Sequence, residues 1–143
     1  MTSFRFRLEK VLEWRKTRLE LEEARYRQQA AALAAFDRAR AEMVAEGVHT
    51  ESEARSWNPL TDRDLAALAE FRRDLRARET SLGARRAECA RQLTALENAM
   101  LEARRRYRLL ERLKERGLEA WKAERDRELE QLASESFLAR WER

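Results

Sequence analysis

Between Phe4 and Glu46 the chain contains neither proline nor glycine, and after Thr61 proline never appears again. Breakers concentrate in one stretch, GVHTESEARSWNPLT, residues 47–61. Gly83 and Gly117 lie beyond it, but an interior glycine costs only about 1 kcal/mol against alanine, too little to stop a helix of this length. One interruption in 143 residues leaves room for two long elements. The bulk of the remainder is Ala, Leu, Glu, Arg and Gln, all good helix formers, and 41% of the chain is charged. Few breakers and many charges describe long solvated helices and not a layered globule.

Apolar residues recur with coiled-coil spacing on both sides of the break. In the second segment the a/d series runs Leu65, Leu68, Arg72, Leu75, Glu79, Leu82, Arg86, Cys89, Leu93, Leu96, Met100, Ala103, Tyr107 and Leu110; eleven of these fourteen are apolar. In the first it runs Leu8, Leu12, Arg15, Leu19, Glu22, Tyr26, Gln29, Leu33, Phe36, Arg40 and Met43, with seven of eleven apolar. Sustained 4-3 spacing between charged flanks is the signature of a coiled coil. The sequence therefore predicts an all-α fold, an antiparallel coiled-coil hairpin forming a single domain. Helix one covers about residues 4–46, the connection 47–61 and helix two 62–136. Gly47 is expected to cap helix one, Pro59 to hold Asn58 out of helix, and Thr61 with Asp64 to form a capping box.

The polar a/d residues suggest a register. If facing residue numbers sum to 108, Glu22 meets Arg86, Gln29 meets Glu79 and Leu19 meets Cys89; a sum of 115 strands Glu22 on Leu93 but shortens the connection. The sum of 108 is preferred and 115 is kept as the alternative. At 1.5 Å per residue helix two spans roughly 110 Å and helix one roughly 65 Å, so helix two overhangs. Past Leu110 the a/d phase is expected to fail, while Leu113, Leu118, Leu129, Leu132, Phe137, Leu138 and Trp141 persist off it. A lone helix bearing them calls for a partner, and can pair with itself when none is present.

Several function classes fit poorly. Cys89 and His49 are the only residues of their types, so an intrachain disulfide and a Cys/His metal cluster are both excluded. Cys89 at a d position reads as a small core residue and His49 as an exposed turn residue. With three scattered glycines no phosphate loop can form, and no nucleophile–histidine dyad is credible, so the chain is read as non-enzymatic and without cofactors. The 31 basic and 27 acidic residues nearly cancel, which gives nucleic acid little electrostatic purchase, and none is expected as a partner. No apolar run reaches membrane-spanning length and no signal-like core opens the chain, which suggests a cytoplasmic location. The stretch ARRRYRLLERLKER, residues 103–116, carries seven basic residues against two acids, and reads either as a solvated face or as a dock for an acidic partner.

The opening FRLEKVLEWR (Phe6 to Arg15), the stretch LEARRRYRLLERLKER and the closing AERDRELEQLASESF together resemble the FliJ family of flagellar type III export proteins. The resemblance covers both helices. It departs where the family commonly has an Asp-Glu pair after the Glu/Gln run, since Ala133-Ser134 stands there. The resemblance implies a two-helix stalk whose two chain ends enter the pore of a hexameric FliI-like export ATPase. Its opposite part would contact an FlhA-like export gate protein, peripheral to the inner membrane, with export chaperones as further partners. On this resemblance Phe71 and Leu75 match a Phe-x-x-x-Leu step used for gate binding, while Arg78 and Leu82 do not match the family's later gate-contacting positions. Phe71 lies off the predicted a/d series and Leu75 on it. The ATPase-facing residues would be Phe4, Leu8, Arg15, Arg105, Arg108, Arg112, Leu118 and Trp121. A flagellar system and a related injectisome both remain open, as does a generic structural coiled-coil adaptor or a nucleic-acid-binding coiled-coil arm.

Overall fold

The computed structural model describes residues 3–142. Those residues form two helices, α1 (Glu9–Arg55) and the longer α2 (Asp62–Trp141), with no strand among them. The all-helical hairpin with a longer second helix is as the sequence predicts; its boundaries are not. Residues 3–6 precede the helix, whose opening turn is marked by Glu9 N–H donating to the Phe6 carbonyl at 3.2 Å. Helix α1 then runs straight through Gly47, which adopts no positive φ and caps nothing, and His49 is an exposed helical residue, not part of a turn.

The chain leaves α1 where Ser56 and Trp57 turn their amides back onto the carbonyls of Glu53 and Ala54. Asn58 and Pro59, joined by a cis peptide, lie outside helix. Thr61 then starts α2 as expected: its N–H donates to Asp64 Oδ2 and its Oγ1 accepts from Asp64 N–H, both at 3.2 Å. The box satisfies two amides that the first turn would otherwise leave unpaired.

Contacts divide into two units, one of Met1–Glu22 with Met100–Arg143 and the other of Glu23–Ala99. In the second unit, the two helix segments run antiparallel along the predicted stripe. Tyr26, Leu33, Phe36 and Met43 are half-buried against Leu82, Arg86, Leu93 and Leu96, with Gly47, Ala54 and Cys89 buried. The register differs from both expected ones. Arg86 pairs with Asp37 and Arg72 with Glu51, each summing to 123, and Gly47 faces Leu75 at a sum of 122. Cys89 meets Gln29, whose Nε2 donates to its Sγ and carbonyl oxygen at 3.2 Å each. The seam phase is right and the layers are displaced by one heptad from 115 and two from 108. The physical reason is the connection. With α1 continuing to Arg55, the chain reverses within a few residues, and the layers slide toward the turn. Near the turn the stripe also shifts: Phe71 is half-buried while Arg72 is exposed and binds Glu51, so Phe71 belongs to the seam it was expected to miss.

In the first unit Leu12 is buried and Lys114 meets Glu9 at 2.9 Å. Glu22 is buried to 7% exposure, with Arg18 one turn away at 3.8 Å on its own helix, and the expected Arg86 pairs with Asp37 instead. The expected loss of phase after Leu110 does not occur there. Lys114, Gly117 and Trp121 are all half-buried on the predicted series, and the stripe shifts only at Arg125. Burial along α2 ends at Arg125, since residues 126–142 are exposed throughout.

The observed layers set a direct test with the native thiol. Gln29→Cys should oxidise readily to Cys89, because the Gln29 carbonyl lies 3.9 Å from that sulfur, whereas Leu19→Cys should not. Rapid bridging from Leu19→Cys would restore the sum of 108. A second test uses acid. The hydrogen bond from Arg86 holds the Asp37 carboxyl below its ordinary 3.8, against an opposing push from desolvation. A carboxyl lowered in the folded state stabilises above its unfolded pKa, and that contribution is lost as pH falls through the folded value. Asp37→Asn should therefore melt slightly lower than wild type at neutral pH, with the gap closing as pH is taken below 3.8. A gap that persists in acid would mean that Asp37 acts through packing.

Candidate partner-docking surface

The chain's beginning meets the far part of α2 in the first unit. Phe4, in the extended lead-in before α1, lies with its ring centroid 6.3 Å from that of Trp121 at an interplanar angle of 52°, a tilted aromatic pair. Its ring edge also rests above Gly117, where a Cβ would come to 3.5 Å, an ordinary contact. The Arg125 guanidinium sits 5.2 Å from the Trp121 ring, within cation–π range, and its Nε is buried without a hydrogen-bond partner. Ser3, Phe4, Arg5, Ala120, Trp121 and Glu124 line an open cleft here. Phe4 and Trp121, expected from the resemblance to act together, are thus neighbours.

Arg105, Arg108 and Arg112 share a second surface on α2. With Leu101, Arg104 and Leu109 they line a shallow groove formed by that helix alone. Leu101 and Leu109 are 45% and 60% exposed, large values for leucines interleaved with arginines. Helical steps of three and four place all six on one side, and the half-buried residues Ala103, Tyr107, Leu110 and Lys114 mark the other. The Tyr107 hydroxyl is pushed up chiefly by burial, with the Glu111 carboxylate adding to it, consistent with a seam position. Arg105 and Arg106 both reach Glu102, and among the described residues Arg108 and Arg112 make no ion pair. The two exposed leucines escaped the sequence reading, although their four-residue steps to Arg105, opposite the seam, were available as a signal.

The remaining expected contacts are dispersed. Leu8 lies 41% exposed in the turn before α1, and Leu118 is half-buried beside the seam. Arg15 is half-buried with its guanidinium 4.7 Å from the Trp14 ring, so it is already engaged within its own helix.

In the second unit Phe71 and Leu75 are both half-buried seam residues. Leu75 borders an open groove with Val44, Gly47, Val48 and Arg55, in which the two valines are 53% and 66% exposed. Gly47 sits there at close approach: a Cβ would lie 2.8 Å from Leu75 Cδ2, so Leu75 would have to shift. No group of acidic, histidine or cysteine side chains suited to a metal occurs among the described residues. The surfaces on offer are apolar and cationic, suited to binding a protein.

The two glycines make a controlled pair. Gly83 has open space where a Cβ would go, so Gly83→Ala should gain roughly 1 kcal/mol in urea unfolding. Gly47→Ala has the same helical gain but must displace Leu75, so it should stabilise less or destabilise; equal gains would show that Leu75 moves freely. Compared with protein-family models, with curated proteins and with solved structures, the chain matches none.

Proposed function

We propose that this chain is a non-enzymatic component of a flagellar type III protein export apparatus, coupling a FliI-like hexameric ATPase to an FlhA-like export gate. The observation that carries the reading is the meeting of the lead-in Phe4 with Gly117 and Trp121, which joins both ends of the sequence resemblance in one unit. Beside it, the exposed Arg105, Arg108 and Arg112 offer cationic contacts to an acidic partner, and residues 126–142 offer exposed leucines and aromatics. In this reading the first unit engages the ATPase and the second, through Phe71 and the valine-lined groove beside Leu75, engages the gate.

Among the described residues no helix is long and apolar enough to cross a membrane, and a location at the cytoplasmic side of the export apparatus belongs to the same proposal. A nucleic-acid arm is the poorer reading. Phosphate tracks favour uninterrupted cationic rows, whereas here leucines 45% and 60% exposed sit among the arginines.

The reading is tested by pull-down with the export ATPase encoded in the same genome. Among the described residues, truncation after Arg125 removes only exposed ones, so it should leave the seam folded by circular dichroism and weaken ATPase capture by roughly tenfold or more. Wild-type chain that fails to bind that ATPase refutes the assignment. Tight binding to duplex DNA that collapses between low and moderate salt would replace it with the phosphate reading.

A further inference from the structure

Helix α2 carries two exposed patches of opposite charge on the side away from the seam. The first is the ridge Leu101, Arg105 and Leu109, within residues 101–116, which hold seven basic residues against three acids. The second is the ridge Leu129, Ala133, Phe137 and Trp141, within residues 126–142, which hold five acids against two basic residues. Leu109, Phe137 and Trp141 are 60%, 61% and 78% exposed. Residues 101 and 137 lie ten full turns apart at roughly 3.6 residues per turn, so Leu101 and Phe137 face the same way, and Arg108, Arg112, Asp126 and Glu130 fall within about 20° of the same line. Both also belong to one uninterrupted helix, so a chain cannot fold its own tail onto its own basic face.

We propose that a second copy of this chain docks antiparallel on this face, the acidic apolar tail of each copy lying on the basic ridge of the other. When facing residue numbers sum to 238, Leu101 meets Phe137. In the same register Arg108 meets Glu130 and Arg112 meets Asp126, giving carboxylates to the two arginines that make no ion pair among the described residues. The two-fold axis lies at Glu119, so every contact occurs twice, and the repulsion of Glu119 by its own copy is opposed by the Arg108–Glu130 and Arg112–Asp126 contacts, each made twice. Sliding by one heptad to a sum of 231 sets Leu101 against Glu130, burying a carboxylate on an apolar layer. The dimer does not rest on the export reading. Where that reading holds, the pairing covers Arg105, Arg108 and Arg112 and competes with the ATPase.

The full chain should show a concentration-dependent monomer–dimer equilibrium in analytical ultracentrifugation. Arg108→Glu with Arg112→Glu, and separately Asp126→Arg with Glu130→Arg, should each weaken dimerisation by roughly tenfold or more. All four side chains are exposed, and unchanged circular dichroism and melting would show that the fold is intact. An equimolar mixture of the two variants should recover the dimer, because each basic patch in the mixed pair again faces an acidic one. Wild-type chain that stays monomeric at every accessible concentration overturns the proposal and leaves the face to a partner of another sequence. A dimer that survives both charge reversals, or a mixture that stays monomeric, overturns it equally.

Discussion

A pair of helices with no third element can shelter only one stripe of each, and everything else about this chain follows from that restriction. Leu12, Ala54 and Cys89 are the buried apolar side chains among the described residues, and most seam residues keep part of their surface in water. Stability in such a molecule comes from many small layers added in series, supported by helix propensity along both segments. What such a chain can offer is surface.

The layers are aligned by the turn and by close approach, and polar matching follows from that alignment. Gly47 lets α1 pass within reach of Leu75, where a side chain would press on a methyl group. Once those backbones approach and the chain reverses between Arg55 and Asp62, the seam positions along the second unit are determined. Asp37 and Glu51 then lie where Arg86 and Arg72 can reach them. These exposed pairs contribute little to stability, but a slipped register would lose them together, which makes them guards of alignment. Gln29 adds a neutral clasp, donating across the seam to Cys89 and to Gln92.

Surface chemistry on α2 is segregated by side and by position. The seam side carries Tyr107, Leu110 and Trp121, and the other side carries an arginine-rich ridge followed by an acidic, aromatic one. Exposed apolar side chains framed by charges of one sign are a common form of protein-docking face, in which the charges steer and the apolar groups hold. Phe4 settles part of this chemistry internally, forming a tilted ring pair with Trp121 while Arg125 lies against the same indole.

The residue order by itself determined the two helices, the 4-3 stripe that joins them and the capping box at Thr61, because these depend on propensity and on spacing within one segment. It also marked Cys89 as a core residue and the end of α2 as unsupported. It could not determine where α1 stops, because a glycine in sequence reads alike whether it caps a helix or admits a neighbour. That ambiguity carried the register with it, since a polar a/d residue such as Glu22 does not by itself name the residue it will meet. The position of Phe71 depended on the same thing, as the stripe shifts by one residue near the turn. Only the tertiary structure decided which layers meet, that Phe4 reaches Trp121, and that Leu101 and Leu109 face outward among arginines. Each of those is a relation between residues distant in sequence or a choice between faces, which the packing of the second helix against the first alone resolves.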